Sequence, residues 1–347
     1  MNKKTKIFSV CFVVICAAFF YYEKAELFNF SQNKNDSECN AEVMGAHDIS
    51  IEDIKEAKEN SDVTLQKVFP VVDFQPVKRE GVLDLVIPNA HAALVLDVDS
   101  GTILQYQNGK EIRQIASLTK MMTAVVVMEN VKNLDEVVTI DEDARLIDGT
   151  RVGCPNSGYC IGTRLQMGEQ ISVRSLLKAM LMNSANDAAT ALGKHVGGTV
   201  DEFVDMMNKR AKELGLSDSN FCTPSGLEIN GIEETCYSTA YDVARIVAHS
   251  MKYEVIWDIL QISEDTIYSV DGKYSHDLRT TNKVLGKMPN CLGAKTGFTP
   301  LAGQSLIMGI EDEKSGRKIV AVILDDPYRW EDVQEMAEWT FNAYEWK

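Results

Sequence analysis

Ser117 and Lys120 stand three residues apart, directly ahead of the apolar run Met121–Met128. On a helical turn that spacing puts hydroxyl and amine on one face, while Met121, Val125 and Met128 can face a core. A desolvated lysine loses its proton near neutral pH. A neutral amine beside a serine hydroxyl can activate it as a nucleophile without a histidine. The same spacing also arises by chance, and Ser175–Lys178 is a second such pair, read as part of a solvated helix face. What sets Ser117 apart is its company: Ser184-Ala185-Asn186 and then Lys295-Thr296-Gly297 follow in the chain. Each has a look-alike too. Ser31-Gln32-Asn33 repeats the second pattern, and Lys314-Ser315-Gly316 reads as hairpin-turn chemistry.

At 347 residues the chain can bury one large core and carry appendages. A formal charge of −16 argues against a nucleic-acid partner, which wants clustered Lys and Arg. It also argues against broad adsorption to anionic lipid. Eight cysteines are too few for a disulfide scaffold, yet more than a reducing compartment requires. The five histidines, His47, His91, His195, His249 and His276, lack metal-binding or histidine-base spacings. No metal and no cofactor is expected.

The elements that must position these residues fall in order along the chain. Lys3, Lys4 and Lys6 precede the apolar run Ile7–Tyr22, which is short for a bilayer span of about 17–25 residues. Residues 1–22 are read as an N-terminal membrane anchor, with a cleaved signal segment as the competing reading. Either way the remainder is exported to the outer face of the membrane or the periplasm. Residues 23–88 are polar and form a spacer, with one short amphipathic helix expected over 48–59. The domain occupies 89–347. Ala92–Asp97 is a buried strand and Thr102–Tyr106 its hairpin partner. The Ser117 helix follows, then a largely helical stretch over about 130–260. Within it, Ser172 opens a helix ending at Asn183, and Asp187–His195 forms the next. Gln304–Ile310 and Lys318–Leu324 read as strands, with Lys295 and Thr296 at the start of another. A closing amphipathic helix carries Val333, Met336, Ala337 and Phe341 onto the sheet. Cys154/Cys160 and Cys222/Cys236 flank two short loops and are candidate disulfides, whose pairing the sequence does not decide. Cys39 and Cys291 are left over.

From His91 to the C-terminus the chain resembles the serine-type D-alanyl-D-alanine carboxypeptidases, the low-molecular-mass penicillin-binding proteins of peptidase family S11. The resemblance rests on Ala116–Ala124, Ser184–Ala189, Thr223–Leu227, Tyr237–Asp242 and Ala294–Thr299. It implies a β-lactamase/transpeptidase-like α/β (α+β) fold: an antiparallel sheet flanked by helices, an all-helical subdomain, and the active site between them. It implies that Ser117 attacks the carbonyl between two terminal D-alanines of a peptidoglycan stem peptide, and that penicillins and other β-lactams acylate the same serine. Lys120 would be the base, its pKa lowered further by Lys295. Ser184 would relay a proton to the departing amine, and Asn186 would hold the acyl part's amide. Lys295 and Thr296 would take the terminal carboxylate, and Gly297 would let the substrate backbone lie against its strand. The backbone N–H groups of Ser117 and Phe298 would form the oxyanion hole.

Three alternatives stay open. A D-alanyl endopeptidase would share every one of these residues. A class A β-lactamase needs a further glutamate for deacylation, and no Glu-Pro-x-Leu-Asn run follows Asn186. A non-catalytic peptidoglycan-binding protein would have no use for the complete set.

Overall fold

A computed structural model describes residues 74–155, 160, 162–288 and 290–347. The apolar run Ile7–Tyr22, the expected helix over 48–59, Cys39, His47 and Ser31–Asn33 lie outside them. Among the described residues no helix is long and apolar enough to cross a membrane.

The strands are β1 (Pro76–Lys78), β2 (Ala92–Asp97), β3 (Ile103–Gln107), β4 (Val137–Thr139), β5 (Gln170–Ser172), β6 (Glu264–Tyr268), β7 (Ser275–Arg279), β8 (Cys291–Thr299), β9 (Gly303–Glu311), β10 (Lys318–Leu324) and β11 (Tyr344–Trp346). The main sheet runs β3-β2-β10-β9-β8 with every pairing antiparallel. Strand β2 is buried along its whole length. Its period-two alternation sends Leu94 and Leu96 into a core shared with the helices, and Ala93 and Val95 into a second core beneath the C-terminal helix. Strand β10 divides the same way, with Val320 and Val322 on one side and Ile319, Ala321 and Ile323 on the other. A sheet covered on both faces explains why these antiparallel strands read as unbroken apolar runs.

The C-terminal helix Arg329–Ala343 covers one face through Val333, Met336 and Ala337. On the other face lies the helical half. Its centre is Lys120–Asn130, buried on every side from Lys120 to Val127, as expected of a helix enclosed by others. Val173–Met182 starts where the Ser172 hydroxyl accepts the Ser175 N–H, and Ala240–Ser250 where Thr239 accepts the Asp242 N–H.

Several details differ from the sequence reading. Ser117 lies in a 3-10 turn, Ala116–Thr119, that leads into the helix rather than in the helix itself. The stretch expected to be largely helical also holds the β4–β5 ladder, and the β6–β7 hairpin follows it. Lys295 and Thr296 sit mid-strand in β8, not at its start. The edge of the domain differs as well. Strand β1, in the segment read as spacer, pairs with β11 at the far end of the chain. Ile87 is fully buried in the second core, its backbone N–H and C=O both held by the Gln107 side chain. Three-residue strands that meet across the whole sequence carry too little pattern to be found without coordinates. Both candidate disulfides are present, Cys154–Cys160 and Cys222–Cys236, and Cys291 is a buried thiol.

If residues 74–88 belong to the folded domain, Ile87→Ala lowers its stability by about 2–4 kcal/mol, the usual cost of truncating a buried isoleucine. Urea unfolding measures this, and an unchanged midpoint would return the segment to the spacer.

Candidate active site

The Ser117 turn is wedged between two backbones. Ala116 has a φ of 46°, a left-handed conformation that costs energy for any residue with a Cβ. Gly226 packs against it so closely that an added Cβ would stand 2.0 Å from the Ala116 carbonyl oxygen. From the sheet side, a Cβ on Gly297 would meet the Ile115 oxygen at 2.8 Å. The approach of the Ser117 turn is by itself reason enough for a glycine at 297. Among the described residues the Ser117 N–H donates to no protein acceptor.

Lys120 Nζ is completely buried and has three partners: Ser117 Oγ at 2.8 Å, Asn186 Oδ1 at 2.7 Å and the Ser225 carbonyl at 2.6 Å. Burial holds its pKa well below the ordinary lysine value, and the charge of Lys295 pushes it the same way, against an opposing pull from Asp187. A neutral amine has two N–H groups and one lone pair. The amide oxygen and the backbone carbonyl can only accept, so both N–H groups go to them. In the neutral form the lone pair is then left to face Ser117, the one partner with a proton to give.

Ser184 also has a left-handed backbone, φ 59°, and sits just before the helix Asn186–Gly197. Its hydroxyl accepts from Lys295 Nζ at 2.9 Å. The Lys295 amine is fully buried and also donates to the Thr296 carbonyl at 2.9 Å. Burial first, and then the nearby Arg329 guanidinium, pull its pKa down to about 7.

Ser117, Ser184, Asn186, Thr296, Gly297 and Phe298 line one cleft of about 340 Å³, and the two buried amines lie behind it, bonded to Ser117 and Ser184. Asn186 has partners inside the protein as well. Its oxygen is taken by Lys120, and its amide nitrogen donates to the Asp148 carbonyl at 2.8 Å, so its first task is to hold the amine. Thr296 Oγ1 donates to Thr281 Oγ1 at 3.0 Å, and the Phe298 side chain is 63% exposed at the rim.

Four contributors escaped the sequence reading of the site. Ser225 acts through a carbonyl, which no residue type advertises, although it lies in the Thr223–Leu227 block. Asp187 follows Asn186 and accepts the Val152 and Ala188 N–H groups; burial raises its pKa to about 6. Arg329 reaches the cleft from the C-terminal helix and donates to the Gly297 and Ser305 carbonyls, each at 2.9 Å. Thr281 had no signal at all.

The look-alikes fall elsewhere. Lys178 pairs with Asp265, while Ser175 bonds Ser172 at the helix start; both are half-buried rather than on a fully solvated face. Ser315 and Gly316 form the β9–β10 turn over Asp312. His91, His195, His249 and His276 each meet a glutamate, and none lines the cleft. No group of three or more His, Cys, Asp or Glu side chains is placed to hold a metal among the described residues.

An antiparallel sheet backed by one helix, facing a helical half across a serine–lysine cleft, defines the β-lactamase/transpeptidase-like class of fold. Residues 85–328 match the D-alanyl-D-alanine carboxypeptidase family, peptidase S11, and the chain belongs to that family. It is 32% identical over 265 residues to the D-alanyl-D-alanine carboxypeptidase DacF of Bacillus subtilis, covering 74% of this chain and 63% of that one. It is 31% identical over 252 residues to a D-alanyl-D-alanine endopeptidase of Pseudomonas aeruginosa, covering 72% and 76%. Among solved structures, penicillin-binding protein D2 of Listeria monocytogenes in its ampicillin-bound form superposes with a TM-score of 0.62. Its sequence is 30% identical, and the match covers 75% of this chain and 100% of that one. The chain thus spans less than two thirds of the length of the Bacillus carboxypeptidase.

The close approach at Gly297 gives a direct test of the wedge. Gly297→Ala is expected to displace the Ser117 turn by a fraction of an ångström and cut reaction with a serine-directed phosphonylating reagent by about tenfold to a hundredfold. Circular dichroism should still report a folded domain. Wild-type reactivity would contradict the packing described.

Proposed function

We propose that this chain is a serine D-alanyl-D-alanine carboxypeptidase that removes the terminal D-alanine from peptidoglycan stem peptides through an acyl-enzyme on Ser117. The single observation that carries the reading is the buried Lys120 Nζ, placed 2.8 Å from Ser117 Oγ with the Asn186 Oδ1 and the Ser225 carbonyl as its acceptors. As Ser117 Oγ attacks the penultimate D-alanine carbonyl, its proton passes to Lys120 Nζ. The free Ser117 N–H, with that of Phe298, stabilises the developing oxyanion; such donors are worth about 3–4 kcal/mol each. The proton that Lys120 took from Ser117 is relayed through the Ser184 hydroxyl to the departing D-alanine amine, which leaves Lys120 neutral again, while Lys295 donates to Ser184 and keeps its own charge. The D-alanine carboxylate is held by Thr296, by Lys295 through its charge, and by Arg329, while the second N–H of Asn186 meets the acyl amide. Water then releases the shortened peptide, with Lys120 again taking the proton. β-Lactams acylate the same serine.

An endopeptidase reading has one observation in its favour. Beyond Thr281 and Pro155, which border the catalytic cleft, a groove of about 670 Å³ runs along Asp277, Arg279 and Thr280. It has room for a second stem peptide. The exported location follows the substrate, and residues 1–22 act as the anchor, with 23 to the mid-70s as tether.

Fluorescent penicillin is expected to label the protein covalently, and Ser117→Ala to abolish labelling. No adduct on intact protein would remove the enzymatic reading. Comparing D-alanine release from a pentapeptide with cleavage of a cross-linked dimer then divides the two peptidase readings; faster pentapeptide turnover supports the carboxypeptidase.

The two amines set the pH dependence. Lys120 works as a base once deprotonated, so kcat/KM rises as it loses its proton. Lys295 binds carboxylate while charged, so kcat/KM falls as pH climbs through about 7, its pKa in the empty site. In Asp187→Asn the negative charge that raises the Lys120 pKa is gone, and the rising limb moves to lower pH. A profile flat between pH 6 and 9 in the wild type would contradict both assignments.

A further inference from the structure

The loop that supplies the Ser225 carbonyl is fastened at its base as well as at its tip. It turns tightly on Thr223, whose hydroxyl accepts the Gly226 N–H at 3.0 Å and donates to the Leu227 carbonyl at 3.0 Å. Cys222 precedes that turn and is bonded to Cys236, closing the segment between them into a covalent ring. Both sulfurs belong to half-buried residues near the surface. Between this disulfide and the nucleophile turn lies a small void of about 20 Å³, walled by Ile115, Ala116, Thr119 and Gly226 as well as by the two cysteines. The ring's root stays attached without the sulfur bridge. Asn220 and Tyr237 exchange backbone hydrogen bonds at 2.8 and 2.9 Å, and the Asn220 amide donates to the Thr235 carbonyl at 2.6 Å. The Pro224 carbonyl still accepts from Thr123 Oγ1 at 2.6 Å, so losing the disulfide loosens the Cys222 end of the loop and leaves the domain folded.

We propose that the Cys222–Cys236 disulfide is a positioning clasp for the general base, and that breaking it slows acylation at Ser117 while the domain stays folded. The proposal rests on the acyl-enzyme reading above. A dithiol opens the clasp by exchange: its first thiolate attacks one sulfur and breaks the S–S bond. Its second thiolate then displaces the mixed disulfide. Cys222 and Cys236 gain two electrons and two protons as thiols, and the dithiol leaves as a cyclic disulfide. In the opened form the Ser225 carbonyl no longer fixes one N–H of Lys120, so the lone pair loses its fixed direction towards Ser117. The other disulfide is placed differently: Cys154 is fully buried and lies beside Val152, which bonds Asp187.

The full chain is reduced with dithiothreitol, its thiols are capped with iodoacetamide, and the desalted protein is mixed with a range of fluorescent penicillin concentrations. A Cys222→Ala, Cys236→Ala double variant is measured beside it, with and without dithiothreitol. Both opened forms should show the first-order acylation constant lowered by about fivefold or more, with the dissociation constant of the non-covalent complex within about twofold, a split expected when geometry rather than binding is lost. Dithiothreitol should not slow the double variant further, uncapped wild type should recover on reoxidation, and thermal unfolding should stay cooperative. Full-speed acylation by either form, with mass spectrometry showing the two sulfurs unlinked or absent, overturns the clasp. A further loss when the double variant is reduced also overturns it, since the effect then belongs to Cys154–Cys160. Oxidised wild type that never acylates would instead remove the acyl-enzyme reading itself.

Discussion

Closing a primary amine away from water, between one hydroxyl and two groups that can only accept, is the constraint on which the rest of this structure depends. Lys120 in that position cannot keep its full charge comfortably, because no carboxylate among the described residues touches it and burial penalises the ammonium. The negative group that opposes the shift, Asp187, is itself buried and held by backbone N–H groups, so it tempers the shift without pairing with the amine. Lys295 adds a second positive charge close by. When such an amine is neutral, its lone pair is left to point at Ser117. Basicity is set by the surroundings rather than by the residue type.

Holding that arrangement requires parts from distant stretches of chain. The buried helix Lys120–Asn130 supplies the amine, the Ser184–Asn186 turn the amide oxygen, and the disulfide-closed loop the carbonyl. Strand β8 lies at one edge of the main sheet, which leaves its backbone open along the cleft while Lys295 reaches inward beneath it. The left-handed backbones at Ala116 and Ser184 are the local cost of the design. Both precede or carry a hydroxyl aimed into the cleft, and both are fixed by neighbours: Gly226 against Ala116, and the Thr150 hydroxyl on the Ser184 carbonyl.

Much of this was legible in the sequence, for identifiable reasons. Ser117, Lys120, Ser184, Asn186 and Lys295 work through side chains, so residue type and spacing carry them, and the structure gathers all five around one cleft or just behind it. The buried strands Ala92–Asp97 and Lys318–Leu324 were plain because both sheet faces are covered. What stayed hidden acts through the backbone or across long separations. A carbonyl at Ser225 has no signature. Gly297 was visible, yet its reason was not, because the atom that forbids a side chain there belongs to Ile115. The β1–β11 ladder joins segments at opposite ends of the domain, so Pro76–Lys78 read as tether. Asn186 was assigned to substrate before the structure placed its oxygen on Lys120.

The most direct measurement is of the amine itself. With lysine labelled at the ε position, the Lys120 resonance can be identified by comparison with a Lys120→Arg variant and followed by NMR from pH 5 to 11. A midpoint well below the ordinary value of about 10.4, with the amine neutral in the working range, is the result expected here. A Lys120 that stays protonated up to the ordinary lysine range would mean that Ser117 has no base, and the proposed reaction would lose its first step.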